Sequence, residues 1–462
     1  MILKQLYTKC LAQGAYFISS EGEAAIIDPL REVQPYLDLA AENDSKIKYI
    51  FLTHFHADFV SGQVDLARAT GATVILGPNA KAGYDYHSAK DNEVFQIGKL
   101  SITTIHTPGH TMESTCYLLK DDVGKAEALF TGDTLFIGDV GRPDLAAKST
   151  LTTEDLAGHL YDSLHNRIAP LDDNIIIYPA HGAGSACGKN MSSETSDTLG
   201  NQKKTNYAFN LTKQEFIKEL TTGLEMPPAY FPENVAMNKQ VNTEFGDIIK
   251  RGTSALSVDD FEKLSIQDDV LVLDTRGVSA FAKASIPSAW FIGLKGQFAP
   301  WVGALMPDIH QKIIFLAEPG TEEEVVTRLA RVGYDNSLGY LKGGVEAWEA
   351  AGKETVSIAE VTAQEFINGI AEGTIVNPLD VRKPGEYKTS HIEGVPHFSL
   401  DEIHHNVREL DGNKKYHIHC AGGYRSLIYA SIARSYGIEN VVNVLGGYGA
   451  IKKADTSQIT LT

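Results

Sequence analysis

In THFHADFVSG, residues 53–62, His54, His56 and Asp58 alternate directly behind the apolar run KYIFLT. Further along, His106 and His110 bracket TPG, Asp133 lies in TGDTLF behind EALF, and His181 lies in PAHG behind NIIIYP. Imidazole and carboxylate groups that repeatedly end apolar, β-branched runs suit a first-row transition metal. One histidine at such a place is ordinary; this ordered series makes a metal site the expectation. Where a two-metal hydrolase would want another nitrogen ligand stands Phe59, whose ring has no lone pair to offer. A second reactive group lies far downstream, where KYHIHC ends on Cys420, followed by AGGYRS and the helical run LIYASIARSYG. A cysteine between a strand end and a helix N-terminus meets free amide N–H groups and the helix dipole, which stabilise a thiolate and a bound anion. Gly422 and Gly423 let those amides turn inward, and Arg425 adds positive charge for an oxyanion such as sulfite or thiosulfate. The plainer alternative for Cys420 is a buried, inert thiol.

The elements that must position these groups are legible as period-2 and apolar runs. AAIID, KYIFLT, ATVILG, LSITTIHT, EALFTGD and NIIIYPAH read as buried strands, interleaved with helical stretches. The metal candidates then sit on loops at strand ends, where an α/β scaffold carries its chemistry. Residues 185–255 are polar and turn-rich with little periodicity, and read as an extended excursion of the first domain followed by a crossing segment.

The last 200 residues hold an internal repeat. VLVLDTRGVSAFAKASIPSAWFIGL with GYLKGGVEAWEAAG answers to IVNPLDVRKPGEYKTSHIEGVPHFSL with NVLGGYGAIKKA. Asp274 and Arg276 pair with Asp380 and Arg382 at an offset of 106, and the two Gly-Gly pairs match at 103. This is a duplicated α/β domain, each copy a strand, a D-x-R turn, a helix, an apolar run and a closing helix. Only the second copy can do thiol chemistry, because no cysteine lies between Cys187 and Cys420. At the corresponding strand end the first copy reads IIFLAEPGTEEE, with Glu where the anion-binding amides and thiol would be.

A length of 462 residues suggests roughly three domains. Hydrophobic residues at 43% and charged residues at 22% are ordinary for a globular protein that buries sizeable cores. A net charge of −18, with no long Lys/Arg run, argues against nucleic acid as a partner. No run of about 18 apolar residues exists, so no membrane span is expected, and the N-terminus has no signal-peptide pattern. Four cysteines in this length suit a reducing compartment, with the cytoplasm as the default. Cys10 and Cys116 sit in strand-like runs and are expected in the core.

T-H-x-H-x-D, T-P-G-H-T, G-D-T-L-F and P-x-H-G, in this order, resemble the metallo-β-lactamase fold over about residues 1–240. Most members of that superfamily bind two metals through H-x-H-x-D-H, and this chain departs from the pattern at Phe59. TPGHTMESTCYLL followed by GDTLFIGDVGRPDL is similar to the persulfide dioxygenases of that fold. The resemblance implies one Fe(II) per chain on His54, His110 and Asp133, a two-His, one-carboxylate set with open positions. It leaves His56, Asp58 and His181 to orient ligands and water, and puts Arg142 where it could hold a ligand or the anionic end of a thiol substrate. The D-x-R turn, TSHIEGVPHF, C-x-x-G-x-R and LGGY resemble rhodanese over residues 357–455. That implies sulfane-sulfur transfer on Cys420, with Gly422, Gly423, Tyr424, Arg425 and Ser426 forming the substrate loop. The first copy resembles a rhodanese domain without its nucleophile, a spacer or docking module. Cys187, just past His181 in HGAGSACGK, is open between approaching the metal pocket to take up sulfane sulfur and packing quietly.

The expectation is therefore an α/β multidomain chain: a metallo-β-lactamase αββα sandwich over 1–245, a rhodanese-like domain lacking the catalytic Cys over 256–353, and a catalytic rhodanese domain over 357–462. The expected activity is oxidation of a low-molecular-weight thiol persulfide with O2 to sulfite, coupled to sulfur transfer through Cys420 to give thiosulfate. The alternative is a glyoxalase II-like thioester hydrolase fused to a sulfur-relay module. The resemblance to lactamase-fold enzymes with long excursions also leads us to expect a homo-oligomer.

Overall fold

The apolar runs that end on His, Asp and Gly form two six-stranded sheets in the computed structural model, which describes all residues except Lys148 and Glu225. The first sheet runs in the order β1 (Ile2–Thr8), β2 (Gln13–Ser20), β3 (Glu23–Ile27), β4 (Lys46–Phe51), β5 (Thr73–Leu76) and β6 (His87–Ser88). The second contains β7 (Val94–Ile97), β8 (Leu100–His106), β9 (Thr115–Lys120), β10 (Ala126–Gly132), β11 (Ile176–Pro179) and β12 (Asp197–Thr198), in the order β12-β11-β10-β9-β8-β7. Both are mixed: β3 to β6 pair in parallel in the first, and β10 pairs in parallel with β11 in the second.

β2 shows why the sheets stack. Successive side chains of a strand point to opposite faces. Tyr16 and Ile18 join Phe95, Ile102, Tyr117 and Phe130 between the sheets, whereas Ala15 and Phe17 join Tyr36 and Leu66 of the helices Gln34–Glu42 and Gln63–Thr70. The outer face of the second sheet is covered by Leu160 of Thr153–Ser163 and Phe216 of Lys213–Thr221. The result is an αββα sandwich, in which each fully buried large apolar side chain contributes about 1.5–3 kcal/mol.

Two local expectations are corrected. Residues 185–245 do belong with the first unit, but the segment is not irregular: residues 185–255 carry the helices Leu199–Thr205, Lys213–Thr221, Phe231–Asn238 and Phe245–Gly252. Caps and a proline signal the first three; the fourth, Phe245–Gly252, is strongly amphipathic. The Thr198 and Thr212 side chains accept the first-turn amides of Asn201 and Glu215, the latter in a full capping box, and Pro232 opens the third helix. Cys10 is not in a strand but in the turn between β1 and β2, partly exposed, whereas Cys116 is buried in β9. Among the described residues, no helix is long and apolar enough to cross a membrane.

The chain forms two compact units, Met1–Phe245 with Ala330–Gly333 and Gly246–Leu329 with Tyr334–Thr462. The second unit holds two all-parallel sheets. One has the order β13 (Ala255–Leu256), β17 (Ser337–Leu341), β16 (Lys312–Leu316), β14 (Val270–Asp274), β15 (Trp290–Phe291). The other has the order β18 (Ala359–Val361), β21 (Val441–Val444), β20 (Tyr416–His419), β19 (Pro378–Asp380). The repeat is thus a repeat of topology. Its D-x-R motif is a buried clamp in both copies: Arg276 meets Asp274 at 2.6 Å and Arg382 meets Asp380 at 2.5 Å. The same guanidinium groups also donate to the carbonyls of Ala284 and Ser390, tying the strand end to the C-terminal end of the helix that follows.

Removing one partner of such a buried pair leaves an uncompensated charge. Asp380→Ala is expected to cost the second unit about 3–5 kcal/mol, read as a lowered urea midpoint; an unchanged midpoint would show that the clamp contributes nothing.

Candidate metal centre and cysteine loop

His54 lies just past β4, His110 between β8 and β9, and Asp133 just past β10, all buried. His54 Nε2 and His110 Nε2 stand 3.7 and 3.6 Å from the same oxygen, Asp133 Oδ2. Their neighbours fix the tautomers. The Thr53 hydroxyl donates to Asp28 at 2.8 Å, so the 3.0 Å contact between Thr53 and His54 Nδ1 is donated by the histidine. His110 Nδ1 lies 2.8 Å from the Arg142 carbonyl, which can only accept. Both Nε2 atoms therefore carry lone pairs, and they face a carboxylate oxygen that has no hydrogen-bond partner. Burial, and then the adjacent His56, hold His54 well below the usual histidine range, which keeps it neutral. Burial opposes ionisation of Asp133, but the His181 charge and its hydrogen bond outweigh it and hold the carboxyl below its usual range. Three buried lone-pair donors with no proton between them fit a divalent cation.

The second set is built differently. His181 Nδ1 lies 2.7 Å from Asp133 Oδ1 and its Nε2 lies 3.0 Å from Asp58 Oδ2. His181 hydrogen-bonds Asp133 through Nδ1 and faces Asp58 with Nε2 as an ion pair; burial works against its charge, but Asp133 and Asp58 raise its pKa well above the usual value. Phe59 is fully buried, its ring 4.3 Å from that of His56 and 6.2 Å from that of His181, so a phenyl group fills the corner between them. His56, Asp58 and His181 bring their ligand atoms within 4.8 Å of one another, and Phe59 packs beside the two rings.

Sequence reasoning missed Asp28. It follows β3, accepts both the amide and the hydroxyl of Thr53 at 2.8 Å, and stands 3.1 Å from His56 Nε2. Its signal was present, a carboxylate ending the strand-like AAIID. Cys187 is brought to the pocket: its sulfur lies within 4.8 Å of ligand atoms of Asp133 and His181. Burial, with Asp58 and Asp133 nearby, raises its thiol well above the usual range. Asp139 holds this segment by accepting the amides of Lys189 and Asn190 at 2.7 Å. The Arg142 guanidinium is paired with Asp144 at 2.7 and 2.8 Å, so this residue meets the centre through its carbonyl. His106 donates to or accepts from no ligand; its Nε2 is on the Met112 carbonyl.

Cys420 is buried between β20 and the helix Tyr424–Ser435. The Gly423 amide donates to its sulfur at 3.1 Å, and the Ser426 hydroxyl lies 3.4 Å from it and 2.7 Å from Asn443 Oδ1. LGGY acts as a clasp. The amides of Tyr448 and Gly449 donate to the carbonyls of Cys420 and Ala421 at 2.6 and 2.9 Å. Gly447 has φ +52, and a Cβ there would stand 2.3 Å from the Cys420 carbonyl oxygen, so no other residue fits. Gly422 is exposed at the rim, Arg425 is paired with Glu386 at 2.5 and 2.8 Å, and the Tyr424 hydroxyl donates outside the loop to the Gly293 carbonyl. In the first copy the Thr275 amide bonds the Leu316 carbonyl as that of Val381 bonds His419, so Ala317 occupies the place of Cys420. Glu318 follows one residue later, not at the thiol position itself.

Comparison with known proteins agrees with both halves. The metallo-beta-lactamase superfamily matches residues 9–181, and the rhodanese-like domain matches twice, over 257–351 and 362–454. The chain is a metallo-β-lactamase-fold domain followed by two rhodanese-like domains. A probable hydroxyacylglutathione hydrolase of Schizosaccharomyces pombe is 31% identical over 34% of the chain, which spans only 58% of that relative's length. The mitochondrial persulfide dioxygenase of Bos taurus is 29% identical over 47% of the chain and 80% of the relative. A solved metallo-beta-lactamase from Staphylococcus aureus subsp. aureus COL has a TM-score of 0.66 and 28% identity, covering 74% of this chain and 98% of that one.

Among the described residues, three buried groups could hold a metal: His54, His110 and Asp133; His56, Asp58 and His181; and Asp133, His181 and Cys187, with Phe59 beside the second. Metal analysis of anaerobically purified protein is expected to give one metal per chain, rising toward two in Phe59→His. Two metals in the unsubstituted chain would remove the role given to the ring.

Proposed function

We propose that the lactamase-fold domain oxidises a low-molecular-weight thiol persulfide with O2 to sulfite, and that Cys420 transfers sulfane sulfur to give thiosulfate. The observation that carries the reading is the three-donor set His54, His110 and Asp133 beside Phe59: a single-metal arrangement of the two-His, one-carboxylate class. The match to a persulfide dioxygenase over the same half supports it. Fe(II) held by these residues would supply open positions at which a persulfide and O2 react.

The chain's own residues orient and insulate that centre. The Arg142 carbonyl and the Thr53–Asp28 pair keep both ligand histidines in the tautomer with a free Nε2. His181, paired on its other side with Asp58, occupies the second oxygen of Asp133, so that Oδ2 faces the ligands. The balance is RSS⁻, O2 and water giving RS⁻, sulfite and two protons. In the rhodanese-like domain the Cys420 thiolate attacks the outer sulfur of a second persulfide, and the thiol leaves with its electron pair. The resulting Cys420 persulfide is attacked by sulfite; the S–S bond breaks toward Cys420, and thiosulfate departs. Loop amides such as that of Gly423 stabilise the anions. Arg425, paired with Glu386, fixes the rim.

A second reading, thioester hydrolysis, is favoured by the match to a hydroxyacylglutathione hydrolase. Phe59 weighs against it, because the residues left at the second corner are a poor metal set. One assay separates the two. With glutathione persulfide, the unsubstituted chain is expected to consume O2 and release thiosulfate, and Cys420→Ser to consume O2 and release sulfite. No O2 uptake, together with cleavage of S-lactoylglutathione, would establish the hydrolase instead.

A further inference from the structure

The first rhodanese-like domain, without a thiol, has no chemistry of its own, yet it touches the loop that has. Tyr424 follows Gly423, whose amide donates to the Cys420 sulfur. The Tyr424 hydroxyl donates to the carbonyl of Gly293 at 2.9 Å, and its ring stands 5.7 Å from that of Phe291. A Cβ on Gly296 would lie 2.4 Å from Tyr424 Cζ and 2.6 Å from its hydroxyl oxygen, and one on Gly293 would lie 3.3 Å from the same ring. Neither glycine has a positive φ, so backbone conformation does not demand them. At Gly296 the three nearest atoms all belong to Tyr424, so what the residue leaves free is room for that ring. Arg328 braces the slot by donating to the Leu294 carbonyl at 2.7 Å. The contact continues along one face of the helix that begins at Tyr424: the Phe291 amide donates to Ser431 and Trp290 Nε1 to Ser435, each at 2.9 Å.

We propose that the cysteine-less domain is the positioning half of the Cys420 site: its 293–296 loop grips Tyr424 and thereby holds residues 420–426 with their amides turned toward the sulfur and a bound sulfur oxyanion. Tyr424 and Gly296 are positioning residues; neither forms nor breaks a bond. The inference rests on the reading of Cys420 as the sulfur carrier.

The test uses the full chain, with thiosulfate as donor and cyanide as acceptor, together with the pH profile of Cys420 alkylation by iodoacetamide. Gly296→Ala, which pushes the ring from its slot, is expected to lower kcat about tenfold or more and to move the alkylation midpoint upward, while O2 uptake with glutathione persulfide stays unchanged. Tyr424→Ala, which introduces no clash, reproduces the loss even if Gly296→Ala fails to fold. Tyr424→Phe, which keeps the ring in the slot, recovers most of it. Unaltered kcat and alkylation profile in Tyr424→Ala would overturn the proposal. Cys420→Ser separates the two failures: if it abolishes transfer while Tyr424→Ala does not, only the positioning role falls. If transfer survives Cys420→Ser, the reading of Cys420 falls with it.

Discussion

The lactamase-fold domain is organised around one constraint, a buried carboxylate oxygen facing two imidazole lone pairs. Among the described residues Asp133 Oδ2 has no hydrogen-bond partner, and the tautomers of His54 and His110 mean that neither ring supplies one. A dry arrangement of this kind is costly unless a cation completes it. The surroundings follow from that. Asp133 Oδ1 is neutralised by His181, whose other nitrogen is held by Asp58, so the charges alternate outward from the centre. Strand ends are the only places from which residues so distant in sequence can meet with this precision of direction, which is why both sheets of the sandwich contribute.

The rhodanese-like unit handles anions by other means. A chain with a net charge of −18 repels small sulfur anions at long range, and the one arginine in the cysteine loop is already paired with Glu386. What is left to attract an oxyanion is the set of neutral N–H dipoles of the loop and the helix behind it. Dipoles do this only if they are aimed. The clasp of Gly447, Tyr448 and Gly449 on the carbonyls of Cys420 and Ala421 aims them from one side.

What the sequence disclosed and what it hid divide along physical lines. The grouping of His54, His110 and Asp133 was legible because all three lie shortly past apolar runs, and the repeat was legible because D-x-R recurs with the buried clamp. Pairings between distant residues were not. An arginine in a motif reads as a free cation until Asp144 or Glu386 is seen beside it. Asp28 ends its strand as visibly as Asp133 does, but its reach to Thr53 and His56 depends on sheet order. The first three helices after residue 198 were hidden because their signals are caps and a proline within a polar stretch, and Cys10 because it lies only two residues past the end of β1.

The two rhodanese-like copies show which features belong to the fold and which to the chemistry. Both keep the Asp–Arg clamp and the same strand order, although Ala317 stands in one where Cys420 stands in the other. The thiol is therefore dispensable to the architecture. The copies differ most at the strand beside the clamp. In the first, Leu273 and Asp274 pair with Trp290 and Phe291 as a true edge strand; in the second, only Asp380 bridges His397. That fuller edge strand is the one along which the helix behind Cys420 lies, bonded through Ser431 and Ser435. The copy that lacks the nucleophile is elaborated where it meets the nucleophile's helix, and a passive spacer would have no use for that elaboration.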